Sequence, residues 1–138
     1  MKNELKKRIQ LAIACEGEQI LRKHFGDCPQ FRVYELYEDG EYRLMETIDN
    51  TSPEEERHAD PKKLKGVTSL LPGCEAVVSG LLSPNFMRMR DTKPIQPVVS
   101  QGSTVDEALA ALGESFDELF TLIDARRRGE RPAVIMKI

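Results

Sequence analysis

Apolar residues fall along this chain in short blocks of two different spacings, separated by clusters of turn-forming residues. Ile9, Leu11, Ala12, Ile13, Ala14 and Cys15 make a nearly continuous run, the pattern of a central strand covered on both faces, and Glu16, Gly17 and Glu18 end it. Phe31 to Glu38 carries Val33, Tyr34, Leu36 and Tyr37, a set rich in strand formers. Asp39-Gly40 predicts a tight hairpin turn, and Glu41 to Ile48 then returns antiparallel.

The spacing changes after a polar connection from Asp49 to Asp60, which holds Pro53, the acidic run Glu54-Glu55-Glu56 and His58. Asp60-Pro61 reads as an N-cap and first helical residue, with Leu64, Val67, Leu70 and Leu71 at helical spacing until Pro72-Gly73 stops the helix. Ala76 to Val78 predicts another short buried strand ending near Gly80 to Leu82, and Ser83-Pro84 opens a short helix through Arg90. Pro94 to Ser100 is a further strand, whose two prolines favour the sheet edge. Thr104 to Glu107 and Ser115 to Glu118 are capping boxes that open two amphipathic stretches around Gly113, either one kinked helix or two consecutive ones. Arg126, Arg127 and Arg128 suit the negative end of a helix dipole and Gly129 the residue past it, while Ala133 to Ile138 is an extra strand or a docking tail.

A chain of 138 residues is about one domain, long enough to bury a core without disulfide staples. Its net charge is -3 and its basic residues are scattered among acidic ones, which argues against nucleic acid as the main partner. No apolar stretch approaches the ~20 residues needed to span a bilayer, so no membrane is expected. Lys2, Lys6, Lys7 and Arg8 precede an apolar run as in a signal peptide, but Gln10 interrupts the run and Glu16 and Glu18 follow it; a buried strand in a cytoplasmic protein explains it better. Three cysteines at irregular spacing do not make a disulfide framework, and reduced thiols are expected.

The chemistry concentrates in His24-Phe25-Gly26-Asp27-Cys28-Pro29, where an imidazole and a thiol, both donors for soft metals, lie four residues apart in a loop. The strand meander and a crossover to a fourth strand parallel to the first place Cys15, His24, Cys28 and His58 on one rim. Gly80 to Asn85 and Ser100 to Gly102 join them as loops beyond the carboxyl ends of parallel strands, where open α/β sheets bind ligands. The helix start at Ser83 and Pro84 would also point amides at an anion, and Arg88 and Arg90 are further candidates to neutralise one. Cys74 falls on the opposite rim and is left out of the site.

An ordered set of motifs resembles the dinitrogenase iron-molybdenum cofactor biosynthesis family. It comprises the opening strand Ile9 to Cys15, His24-Phe25-Gly26 with Pro29 and Phe31, Tyr34-Glu35, Ala76-Val77-Val78 with Gly80 and Pro84-Asn85, and Gly102 to Leu109. The resemblance spans about residues 9 to 112, leaving 113 to 138 as a C-terminal helical extension and tail. It implies a single α/β domain with a mixed five-stranded, ribonuclease-H-like sheet of order 3-2-1-4-5. It further implies a cytoplasmic, non-enzymatic accessory protein that binds, carries or assembles a molybdenum- or iron-containing metal-sulfur cluster, with cluster donor and acceptor proteins as partners. On this reading His24, Cys28, Cys15 and His58 are the metal-ligand candidates, and Gly26, Gly80, Ser83, Asn85 and Gly102 line the cofactor. The chain departs from the family in Asp27-Cys28-Pro29, where members usually carry Arg-Ala-Pro, and in Leu81-Leu82-Ser83, where a glycine-rich turn is usual. These departures support a competing reading, an interaction or regulatory module that keeps the fold without a cluster, with the unmatched tail, residues 115 to 138, as a homodimer surface; the Phe116 to Ile123 stripe reads as core or oligomer contact. A hydrolase is the remote third class, since no nucleophile with an adjacent base and no paired carboxylates stand out.

Overall fold

The apolar run near the N-terminus forms strand β1 (Arg8–Cys15), and every residue from Leu11 to Cys15 is fully buried. A computed structural model describes residues 6–52 and 61–138. β2 (Gln30–Tyr37) pairs antiparallel with β1, with Ala12 opposite Val33 and Cys15 opposite Gln30. Gly40 turns the chain at φ +88°, a conformation that costs glycine nothing, and β3 (Tyr42–Asp49) returns along β2. Met45 has no partner in that ladder: the register shifts between Val33 and Tyr34, which face Glu46 and Leu44.

Helix α1 (Pro61–Ser69) leads to β4 (Ala76–Ser79), which lies parallel to β1 with Ala12 opposite Val77. The expected Asp60 cap lies outside the described residues. Helix α2 (Pro84–Thr92) opens as the sequence predicts: Ser83 Oγ accepts from the Phe86 amide at 3.2 Å. β5 (Gln96–Val99) pairs parallel with β4, and helices α3 (Val105–Glu114) and α4 (Phe116–Arg127) precede a two-residue strand, β6 (Met136–Lys137). The sheet is mixed and six-stranded, in the order 3-2-1-4-5-6.

Three expectations are corrected. β5 is an inner strand, because β6 pairs with it at Val98 and Val99. Pro97 is accommodated because the Gln96 and Ser100 amides donate to the Glu75 and Ser79 carbonyls while the alternate position, Pro97, turns its nitrogen away from β4. The box at Ser115 does not form: the Ser115 amide donates to the Ala111 and Leu112 carbonyls, which closes α3, and its hydroxyl caps nothing in α4. Two consecutive helices result. Finally, the basic trio does not stay together at the helix end, since Arg126 turns inward and is 2 % exposed.

The sheet separates two cores. Ile9, Leu11, Ile13 and Cys15 point to the α3/α4 face, against Leu109, Leu112, Leu119 and Ile123. Ala12, Ala14, Phe31 and Val33 point to the α1/α2 face, against Leu64, Val67, Phe86 and Met89. β6 and α4 add Met136, Leu119 and Ile123 to the first core. Among the described residues no helix is long and apolar enough to cross a membrane.

Candidate functional site

The carboxyl ends of β1, β4 and β5 share one rim, and the segment between β1 and β2 crosses it. Its two halves are fixed by different means. Glu16 to Ile20 joins the loop before α3: the Ile20 amide donates to the Ser103 carbonyl and the Val105 amide to the Glu18 carbonyl, each at 2.9 Å. Arg22 then spreads its guanidinium over the crevice, Nη1 donating to the Gly80 and Ser100 carbonyls and Nη2 to those of Gln101 and Gly102, at 2.7–3.0 Å.

The second half, a single 3-10 turn at Phe25–Asp27, is anchored by burial. Phe25 is 1 % exposed and its ring lies 4.9 Å from that of Phe86 in α2. From the end of β3, Asn50 Nδ2 donates to the Gly26 and Cys28 carbonyls at 2.7 and 2.8 Å, closing the loop from the other side. His24 is the hinge between the two halves, half-buried at the rim.

A small cleft opens there, lined by His24, Phe25, Gly26, Asp27, Lys63, Ser83 and Asn85. Its enclosed part, about 10 Å³, admits the centre of a single water-sized ligand. Lys63 reaches it from α1 although the residue is only 6 % exposed, and its Nζ lies 4.0 Å from Asp27 Oδ1. Gly26 lets this lysine in: a β-carbon on Gly26 would stand 2.9 Å from Lys63 Cε. The head of α2 contributes Ser83 and Asn85, both buried. A cation held in a poorly hydrated setting beside a helix N-terminus favours an anionic occupant.

Of the residues singled out from the sequence, His24, Gly26, Ser83 and Asn85 line this cleft together. Gly80 and Gly102 do not. Their closeness is to protein: a β-carbon on Gly80 would strike the Leu21 carbonyl and Arg22, and one on Gly102 would meet Glu107 Cβ at 3.0 Å. Cys15 belongs to the core on the α3/α4 face and Cys28 to the core on the other, at 0 and 1 % exposure. Burial raises both thiols above their usual range, Cys28 to about 11, so both are protonated at neutral pH. Cys74 is buried near the opposite rim, its Sγ 3.8 Å from Gln10 Nε2. His58 lies outside the described residues. Among the described residues, no three His, Cys, Asp or Glu side chains gather as a metal-binding group.

Lys63, Arg22 and Asn50 are the site residues that motif reading missed. Lys63 carried a signal, for it shares the helical spacing of Val67 and Leu70 and so occupies a stripe otherwise reserved for the core. Arg88 and Arg90 do not reach the cleft. Arg90 pairs with Asp91, and Arg88 lines a separate groove with Lys65 and Lys93.

The family model described as dinitrogenase iron-molybdenum cofactor matches residues 7–115. The chain belongs to this family. The match begins just before β1 and ends at the junction of α3 and α4, so the dinitrogenase iron-molybdenum cofactor segment contains the entire rim and lacks only α4 and β6. No curated protein matches the chain.

Proposed function

We propose that this protein binds and carries a molybdenum- or iron-containing metal-sulfur cluster as a non-catalytic accessory factor, holding it at the His24 cleft. The observation that carries the reading is the convergence of His24, the buried Lys63 and the head of α2 on one opening, in a chain whose family is named for the iron-molybdenum cofactor. The cluster is cargo. Neutral imidazole is a suitable donor for its iron or molybdenum, and Lys63 with the α2 amides would offset its negative charge. Cys28 is held as a thiol inside the core, so it adds a ligand only if the loop opens and the proton leaves. A cytoplasmic protein handing cargo between donor and acceptor proteins fits the reduced, buried cysteines.

The narrowness of the cleft favours a second reading, an interaction module that retains the fold without cargo. Anaerobic reconstitution with iron, molybdate and sulfide separates the two. A carrier gives a visible chromophore with metal stoichiometric to protein, which His24→Ala abolishes and Lys63→Met weakens. Full metal uptake by His24→Ala removes the site assignment, and a colourless, metal-free wild type removes the carrier reading.

A further inference from the structure

On the α1/α2 face, away from the cleft, two depressions of about 300 and 440 Å³ meet at Lys93 and form one groove. It follows α1 from Leu64 to Thr68, roughly 6 Å at 1.5 Å per residue, and continues past the helix end to Leu71 and Pro72. Its two ends differ in chemistry. One is apolar, floored by Leu71, Pro72, Cys74, Pro94 and Ile95, and the carboxylate on that side, Glu75, is held by Arg127 through two hydrogen bonds. The other is cationic, lined by Lys65, Arg88 and Lys93 with Leu64 and Thr92, and among the described residues no carboxylate lines it.

These cations have no carboxylate partner among the described residues, where none of the ion pairs involves Lys65, Arg88 or Lys93. Arg88 Nη1 is buried with no hydrogen-bond acceptor, a state that costs free energy until an acceptor arrives. Three like charges converging on one groove in a protein of net charge -3 repel one another and concentrate positive potential there.

We propose that this groove docks an acidic amphipathic segment of a partner protein, its carboxylates on Lys65, Arg88 and Lys93 and its apolar side chains on the Leu71–Ile95 floor. The elongated shape and the change from charged to apolar along it suit a peptide segment better than a compact anion, which would use the cationic end alone. The groove shares α1 and α2 with the His24 cleft but no lining residue, so the proposal stands whether or not the cleft carries a cluster.

The test uses the full chain and a fluorescein-labelled helical peptide of about 15 residues, with glutamates on one face and leucines on the next, followed by anisotropy. Wild type binds, and its affinity falls as salt rises. Arg88→Gln with Lys93→Gln weakens binding about tenfold or more, since two charge contacts are lost. Arg128→Gln, a cation on another surface, leaves binding unchanged. Lys65→Gln, at an exposed position, serves as a second probe should the double variant prove unstable in urea denaturation. Amide shifts on titration map to Leu64, Thr68, Thr92 and Ile95. No binding by wild type overturns the proposal, as does equal binding by the charge-neutralised variants. Equally tight binding of a leucine-free glutamate peptide, or displacement by millimolar inorganic phosphate, also overturns it, because the site would then be one for simple anions.

Discussion

Arg22 Nη1 lies 3.0 Å from the Gly80 carbonyl oxygen, and a β-carbon on that same glycine would stand 2.9 Å from the same nitrogen. The carbonyl and the missing side chain thus serve one contact, which ties the loop after β1 to the loop after β4. The nearest obstacle to a side chain at Gly80 is the Leu21 backbone oxygen, which cannot swing aside as a flexible side chain would.

Gly80→Ala therefore destabilises the cargo-free protein by about 2 kcal/mol or more, as overpacking against fixed backbone does. Urea denaturation reads this as a lower midpoint. Arg22→Gln leaves the packing intact but removes donors from four carbonyls, so amide exchange quickens at Ile20 and Val105. An unchanged midpoint in Gly80→Ala would mean that the contact is not a constraint of the fold and would return Gly80 to the list of ligand-facing residues.

Arg126 is a second interior tie. Its Nε donates to Gln96 Oε1 at 2.9 Å, and its other nitrogens donate to the carbonyls of Arg90, Lys93 and Pro132. Burial, with help from the Arg131 and Arg90 charges, lowers its pKa to about 10. All four acceptors are uncharged. Arg126→Met leaves them without this donor, and we expect a loss of about 3 kcal/mol in urea denaturation. Gln96→Ala, which removes one acceptor and leaves the others, costs less; an equal loss in the two variants would show that the Gln96 bond alone carries the effect.

Much of the fold was legible because it depends on local signals. The run Ile9 to Cys15, the Asp39-Gly40 turn and the caps at Ser83 and Thr104 each specify geometry within a few residues. Features set by distant partners were not. β6 is only two residues long, too short for a pattern, yet it turns β5 from edge to interior. Arg126 reads as one of a surface trio, although Leu119, Ile123 and Arg126 share one helical stripe. In the site, glycine signals close approach without saying to what: Gly26 admits Lys63, whereas Gly80 and Gly102 admit Arg22 and Glu107. A cysteine beside a histidine suggested a ligand pair, but Phe25 and Phe31 draw Cys28 into the core between them.

The buried thiols predict a dependence of stability on alkaline pH. Burial raises Cys28 and Cys74 from an ordinary value of 9.0 to about 11. Between these values the folded state keeps protons that the unfolded chain releases. The stabilisation is thus complete below about pH 9 and is lost as pH rises toward 11, with a slope of up to about 1.4 kcal/mol per pH unit for each thiol. Cys28→Ala and Cys74→Ala each flatten that slope in urea titrations at pH 8 to 11. At pH 8 a thiol reagent should label the native protein slowly and the urea-unfolded chain fast, and rapid native labelling would contradict the burial.

Truncation tests whether the family segment folds by itself. A chain ending at Glu114 keeps nearly all of the matched residues but loses Phe116, Leu119, Ile123 and Met136 from the α3/α4 core. At roughly 2 kcal/mol for each buried side chain, the loss is about 8 kcal/mol, comparable with the whole stability of a small domain. We expect this chain to lose near-ultraviolet circular dichroism and amide dispersion. Removing only residues 133–138 is milder, because it takes one buried side chain, Met136, and uncovers the edge of β5. The Val99 carbonyl and the Gln101 amide, both bonded to Ile138 at 2.8–2.9 Å, then lose their partner. An uncovered inner strand invites pairing with a second copy, so this variant should stay folded but self-associate in sedimentation velocity. A well-dispersed spectrum from the chain ending at Glu114 would instead mean that α4 and β6 cover a core already stable without them.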